Sequence, residues 1–234
     1  MSLSPSVIRS PPGVGELIIP SFFITPGVVM MNFSKESSVM ANTNAPFGFR
    51  QYRGTGSAPT YEQTVRRIAS GDTTAIYNGD PVANVNTGYI TRATAGTAQI
   101  AGILSGVKYL STSEKRTVWS NYWPGSNATG DVEAYVINDP NAQFVVQAGG
   151  TAIGFADLGL NIQFNLGTGN TATGISGAFV ESPAVTATLP FRLIGFIQEP
   201  PGANGTDIAS AYNQVIVGFN NVTSRNNGAG PTGI

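Results

Sequence analysis

Glycine and proline interrupt this chain so often that long helices have nowhere to form. The sequence holds 29 glycines and 15 prolines in 234 residues, about a fifth of the chain, which is too turn-rich for a helical bundle. Between them lie short apolar stretches bounded by Asn, Asp, Gly and Pro, the pattern of strands joined by tight turns. Ala75-Ile76-Tyr77 runs into Asn78-Gly79-Asp80-Pro81, where Asn-Gly suits the positive φ angles of a hairpin turn. Val82 to Val85, Tyr89-Ile90, Gln99 to Val107 and Thr117 to Trp123 follow as strands; in the last, Trp119, Asn121 and Trp123 share a face. Asp131 to Ile137 alternates most cleanly, with Val132, Ala134 and Val136 facing one way. The turn Asn138-Asp139-Pro140-Asn141 then leads to Gln143 to Ala148, and the two strands read as a hairpin-like pair. Leu189 to Gln198 and Asn213 to Phe219 complete the set. Leu166 to Gly177 reads as a long flexible polar loop, and one or two helical turns fit around Gly154 to Leu160. The expected fold is mainly β, an antiparallel β-barrel or sandwich.

A weak internal echo joins Gln99 to Leu104 with Arg192 to Ile197: each carries a glycine (Gly102, Gly195) inside an apolar strand. Such a glycine permits a bulge or a close approach of two backbones.

Composition removes much enzyme chemistry. The chain has no Cys and no His, so disulfides, thiolate metal sites, Ser-His-Asp triads and His-ligated zinc are excluded. Charged residues make up 11% of the chain, under half of the usual ~25%. Net charge is −1, so no global field draws it to nucleic acid or a membrane. The charges are uneven: from Met40 to Arg116 eight Lys/Arg face four acids, and after Arg116 two Arg face seven. A basic part of this kind suits docking on acidic surfaces, including copies of the same chain.

Three constellations invite chemistry. Asp131 and Glu133, at i and i+2, share a strand face; paired carboxylates serve glycosidases, and a solvated strand face is the plainer account. Gly167-Thr168-Gly169-Asn170-Thr171-Ala172 matches G-x-G-x-x-A, but no helix follows, so a dinucleotide site is not expected. Phe47, Phe49, Tyr52 and Tyr61 interleave with Arg50 and Arg53, with Arg66 and Arg67 beyond. Rings and guanidiniums together serve single-stranded nucleic acid or a protein surface with carboxylates. The small basic total favours protein. No catalytic, metal or cofactor residues are expected.

The segments divide as follows. Residues 40–65 read as an extended N-terminal arm, residues 66–220 as the β body and residues 221–234 as a flexible tail. Residues 1–39 stand apart. Their apolar run, Leu17 to Met31, contains Pro20 and Pro26 and is too short and broken to span a membrane. Lys35-Glu36 is codable as a ribosome-binding sequence three codons before Met40, so translation is expected to start at Met40; intact mass of the native protein tests this.

The run MANTNAPFGFR from Met40 resembles the start of a family of tailed-phage virion proteins that decorate or cement the capsid. IASGDTTAIYNGDPV, GYITRATAGTAQIAGILSGVKYL, SNYWPGS and DVEAYVINDPNAQFVVQA continue the likeness in order, over residues 40 to about 200. The resemblance implies a β-barrel or β-tulip body on the outer face of the capsid and an arm laid across the major capsid protein. It also implies a homotrimer at local three-fold positions that holds the shell against internal DNA pressure. The expected capsid-contact residues are Phe47, Phe49, Arg50, Tyr52, Arg53 and Tyr61, and no cofactor is implied. A head-fibre or tail component contacting the host, an exported bacterial surface protein, and a carbohydrate-binding or glycoside-active domain using Asp131, Glu133 and the two tryptophans stand as alternatives.

Overall fold

A computed structural model describes residues 42–54, 63–197 and 207–224. The strands are β1 (Arg50–Arg53), β2 (Thr64–Ile68), β3 (Pro81–Asn84), β4 (Ile90–Arg92), β5 (Gly102–Leu110), β6 (Thr117–Ser120), β7 (Val132–Ile137), β8 (Gln143–Gln147), β9 (Asn161–Asn165), β10 (Phe179–Ala184), β11 (Phe191–Phe196) and β12 (Gln214–Phe219). A single 3-10 turn, Phe155–Asp157, lies between β8 and β9. The strands form two antiparallel sheets packed together as a β-sandwich. Sheet A has the order β1-β8-β12-β11-β9-β10, and sheet B the order β2-β7-β5-β3-β4, with β6 also paired to β5.

Alternation along the strands builds two adjoining hydrophobic clusters. In sheet A, Phe144, Val146, Ile162, Phe164, Val180, Phe191, Leu193, Val215 and Val217 point inward. Phe191 stacks on Phe219 at 5.8 Å between ring centres and meets the Phe164 ring edge-on at 6.1 Å. In sheet B, Val132, Ala134 and Val136 of β7 and Leu104 and Val107 of β5 pack on Ile68, Ile76, Val82 and Trp123. Trp123 is fully buried and its indole N–H donates to the Asp72 carbonyl (3.2 Å), so its one polar atom is satisfied.

The opposite face of sheet B is covered over part of its length. Ile103 of β5 and Ile137 of β7 join the sheet A cluster. Farther along, Lys108, Glu133 and Tyr135 lie on that same face and are partly exposed.

Several expectations need correction. β7 and β8 do not pair: β7 lies between β2 and β5, and β8 between β1 and β12. The turn between them closes through Ala142 N–H to the Asp139 carbonyl (2.9 Å) with Pro140 second, and Asn141 is not among the positive-φ residues. That is type I geometry, which splays strands instead of matching their twist, and it carries the chain from one sheet to the other. The turn at Asn78-Gly79 does form, with Gly79 at φ +90°, but its flanks pair elsewhere: Ile76 bridges Trp123 and Asn78 bridges Ile175.

Residues 166–177 are a structured loop, not a flexible one. Asn170 bridges Ile175, Gly167 N–H bonds the Gly177 carbonyl (3.0 Å), and Ser176 is buried.

The span read as an arm contributes β1 and the start of β2. Gly48 N–H donates to the Ala178 carbonyl (3.2 Å) and Phe49 N–H to the Gly79 carbonyl (3.0 Å), pinning residues 48–49 to the body. At the other end, Val222 is buried and bridges Ile100, so residues 221–224 of the expected tail are fixed. The proposed start at Met40, the Leu17 to Met31 run, Tyr61 and residues 225–234 lie outside the described residues.

The glycine echo marks two different devices. Gly102, at φ +148°, lets the chain pass where a Cβ would lie 2.5 Å from the Ile137 carbonyl oxygen. Gly195 sits at a register shift between β11 and β12, a bulge.

Candidate interaction surfaces

The expected capsid-contact residues separate on the structure. Phe49 is only 2% exposed, stacked on Phe191 at 4.4 Å and edge-on to Phe144 at 6.3 Å. It is a core residue of its own chain, which removes it from any contact surface. The sequence misled here because Phe49 follows a positive-φ glycine, Gly48, and is buried with it, while Phe47 is half-buried and Arg50 exposed.

Arg50 and Arg53 are exposed, and Phe47 and Tyr52 are half-buried. Each guanidinium lies over a ring: Arg50 over Phe47 at 4.8 Å and Arg53 over Tyr52 at 5.0 Å. Such pairs gain cation–π energy of about 0.5–1 kcal/mol at exposed sites and hold the long side chains in place. The strand that carries them is the rim of sheet A among the described residues, where it pairs with β8, with a register shift between Gln51 and Arg53. Rim strands offer unpaired backbone groups to a partner, and bulges and basic residues limit indiscriminate pairing there. Arg66 and Arg67 stand on β2, the rim of sheet B, with Arg67 exposed.

Asp131 and Glu133 are both engaged. Asp131 accepts a hydrogen bond from the Tyr89 hydroxyl (3.0 Å), which together with its charge raises the Tyr89 phenol above its ordinary pKa. Glu133 pairs with Lys108 at 3.2 Å, both about one-third exposed. Neither carboxylate is part of the groove beside Trp119 or of the one lined by Gln147, Phe179 and Tyr212.

The G-x-G-x-x-A loop belongs to a buried polar knot. Asp80, fully buried, accepts from the Ser176 hydroxyl (2.6 Å) and from Tyr77 N–H (2.8 Å). It also pairs with the Arg92 guanidinium at 2.8 Å. Tyr77 stacks on Tyr122 at 5.3 Å, and a Cβ on Gly169 would fall 2.3–2.5 Å from the Tyr77 ring. The knot ties residues 166–177 to the turn at 77–80 and to β4. All its acceptors are used within the protein, which makes it a structural fastening.

No family model, curated protein or solved structure matches this chain. The surface features therefore stand on their own chemistry. Among the described residues, no group of three or more carboxylates is placed to hold a metal ion. No described helix is long and apolar enough to cross a membrane.

The two tryptophans, expected on one face, part company. β6 ends at Ser120 and the chain bends, so Trp123 is buried while Trp119 is 67% exposed. Trp119 stacks on Tyr135 at 5.7 Å with the rings 11° from parallel, reaching across β5 beside Gly106, and the ammonium of Lys108, its partner on β5, lies 5.2 Å from the centre of the Trp119 ring. Beside them runs a groove of about 330 Å³ whose walls include Gln63, Ser105, Trp119, Asn121 and Tyr135. Apart from Trp119, sequence reasoning had not placed these residues in a site. The available signal was Gly106 inside the apolar strand LSGVKYL, which pairs with Tyr135 on β7 two residues before Lys108 pairs with Trp119 on β6.

Proposed function

We propose that this chain is a structural protein of a tailed-phage virion that binds the outer surface of the capsid and cements the lattice of the major capsid protein. The observation that carries the proposal is the basic-aromatic rim of sheet A, where Arg50 and Arg53 are exposed on an edge strand, each laid over a ring. The ordered resemblance over residues 40 to about 200 supports the same reading. Guanidiniums form bidentate bonds with carboxylates, and the rim strand adds backbone hydrogen bonds in the manner of strand addition. Phe47 and Tyr52 supply aromatic area beside them. A homotrimer presents three such rims to one capsid site, so that after the first engages the others bind intramolecularly. Among the described residues the contact set is therefore Phe47, Arg50, Tyr52 and Arg53, with Phe49 reassigned to the core; Tyr61, outside the described residues, stays in the proposed set.

The experiment compares wild type with the double variant Arg50→Glu/Arg53→Glu on purified particles stripped of the protein. Both side chains are exposed, so the variant keeps its fold, checked by circular dichroism. Shell occupancy, read by electron microscopy and by quantitative mass spectrometry, falls at least tenfold if the rim is the contact. Full occupancy by the variant rejects the rim. Density at the tail or at isolated spikes, with none over the shell, rejects the cement role in favour of a fibre or tail component.

A further inference from the structure

We propose that the uncovered part of the sheet B face, where Trp119 and Tyr135 stack beside the polar groove floored by Ser105 and Gly106, binds an uncharged saccharide. This goes beyond the capsid role and does not rest on it, since the face is formed by β5, β6 and β7 and not by the rim strand β1.

The geometry begins with a bulge. β5 and β7 run in register at Ile103/Ile137 and Leu104/Val136, then slip, so that Gly106 faces Tyr135 and Ser105 is the extra residue. Bulges next to functional sites re-aim a side chain. Here the Ser105 hydroxyl lines the groove and accepts a hydrogen bond from the Gln63 amide (2.8 Å). The next position, Gly106, leaves a gap in the sheet surface over which Trp119 and Tyr135 lean together. Asn121 adds a second amide to the wall.

The lining selects the ligand. No Lys, Arg, Asp or Glu is among its lining residues; Lys108, whose ammonium lies 5.2 Å from the centre of the Trp119 ring, is paired with Glu133 at 3.2 Å. A nucleic acid would need unpaired cations for its phosphates. A protein anchor would want an apolar, fully desolvated pocket, whereas this groove combines the amides of Gln63 and Asn121 and the hydroxyls of Ser105, Ser120 and Tyr135 with the aromatic wall of Trp119. A saccharide ring has a matching surface, with C–H bonds on its faces and hydroxyls around its edge. The electron-rich face of Trp119 attracts polarised C–H groups, and each amide of Gln63 and Asn121 can donate to one hydroxyl while accepting from its neighbour. The groove volume falls at the lower end of the range for small-molecule sites, which suits one or two sugar units of a longer chain.

The test uses the full chain with four neutral probes: maltohexaose, cellohexaose, mannohexaose and chitohexaose. Binding is read by calorimetry and by tryptophan emission; because Trp123 is wholly buried, protection from an aqueous quencher reports Trp119. The expected result is saturable binding of at least one probe at or below about 1 mM, insensitive to salt, with Trp119 protected. Trp119→Ala should weaken it at least tenfold, Trp119→Tyr should restore part of it, and both should unfold like wild type. No saturable binding of any of the four probes overturns the proposal, as does binding unchanged in Trp119→Ala. Loss of capsid occupancy in Trp119→Ala without saccharide binding by wild type also overturns it, and makes the face a protein contact. Failure of the Arg50→Glu/Arg53→Glu test would leave the saccharide result untouched.

Discussion

Replacing Phe49 with alanine tests whether residues 42–54 belong to the body or to a partner surface. The ring is 2% exposed and touches two other aromatic rings, parallel to Phe191 at 4.4 Å and edge-on to Phe144 at 6.3 Å. Removing a buried phenylalanine costs about 3–5 kcal/mol, since the lost transfer energy is joined by the cavity left behind. Roughly 0.5–1.5 kcal/mol of that comes from the ring geometry, so Phe49→Leu, which keeps most of the volume, should lose about 1–2 kcal/mol. For a body of this size 1 kcal/mol shifts Tm by about 2–4 °C, so Phe49→Ala should melt roughly 6–20 °C lower. Urea unfolding followed by near-ultraviolet circular dichroism gives the free energies, and an unchanged slope would keep the comparison two-state. A loss under about 1 kcal/mol for Phe49→Ala, with weakened attachment to particles, would return the ring to the surface and refute the assignment. The same packing means that deleting residues 41–64 removes a core ring, all of β1 and the first residue of β2, so that deletion cannot isolate a binding defect from a folding one.

Asp80→Ala strips the acceptor from Arg92, Ser176 and Tyr77 N–H; unpairing a buried ion of this kind costs about 3–5 kcal/mol. Amide exchange at Ile175 to Ala178 should accelerate more than in the sheets. Gly169→Ala should lose about 1–3 kcal/mol by overpacking against Tyr77, and a smaller residue at Tyr77 should relieve part of that loss in a double-mutant cycle. Asp131→Asn should lower the Tyr89 phenol toward its ordinary pKa, seen by ultraviolet titration of tyrosinate, because the hydrogen bond and then the charge of Asp131 hold it up. Burial, with smaller contributions from Tyr122 and Glu114, likewise raises Tyr109. Both phenols are neutral in the stable fold. Their contribution is intact below the ordinary phenol range and declines as pH climbs through the raised values, so alkaline unfolding should begin there.

The strands that were legible are those with one clean apolar face. Val132-Ala134-Val136, Phe144-Val146 and Val215-Val217 announce β7, β8 and β12 by period-two alternation alone. β9 was missed because Ile162 and Phe164 are set among Asn161, Gln163 and Asn165, whose amides mask the pattern. β10 was missed because Ser182, at positive φ, and Pro183 interrupt it. β1 carries Arg50 and Arg53 on exposed positions, so a rim strand of the body read as part of an extended arm that reached as far as the start of β2. Strand partners were beyond reach: whether β8 meets β7 or β12 depends on the twist of the turn after Asn138 and on residues some seventy positions later. The groove was hidden for the same reason, since Gln63, Ser105, Trp119 and Tyr135 come from four separate stretches.

The place of β12 in sheet A has a consequence for biosynthesis. This strand, residues 214–219, is inserted between β8 and β11, so a central strand of the sheet is the last described strand to leave the ribosome. Until then two incomplete half-sheets expose unpaired backbone edges, and such non-local pairing is slow to form. A stop codon ahead of Gln214 would leave the nascent polypeptide without its keystone and prone to aggregation.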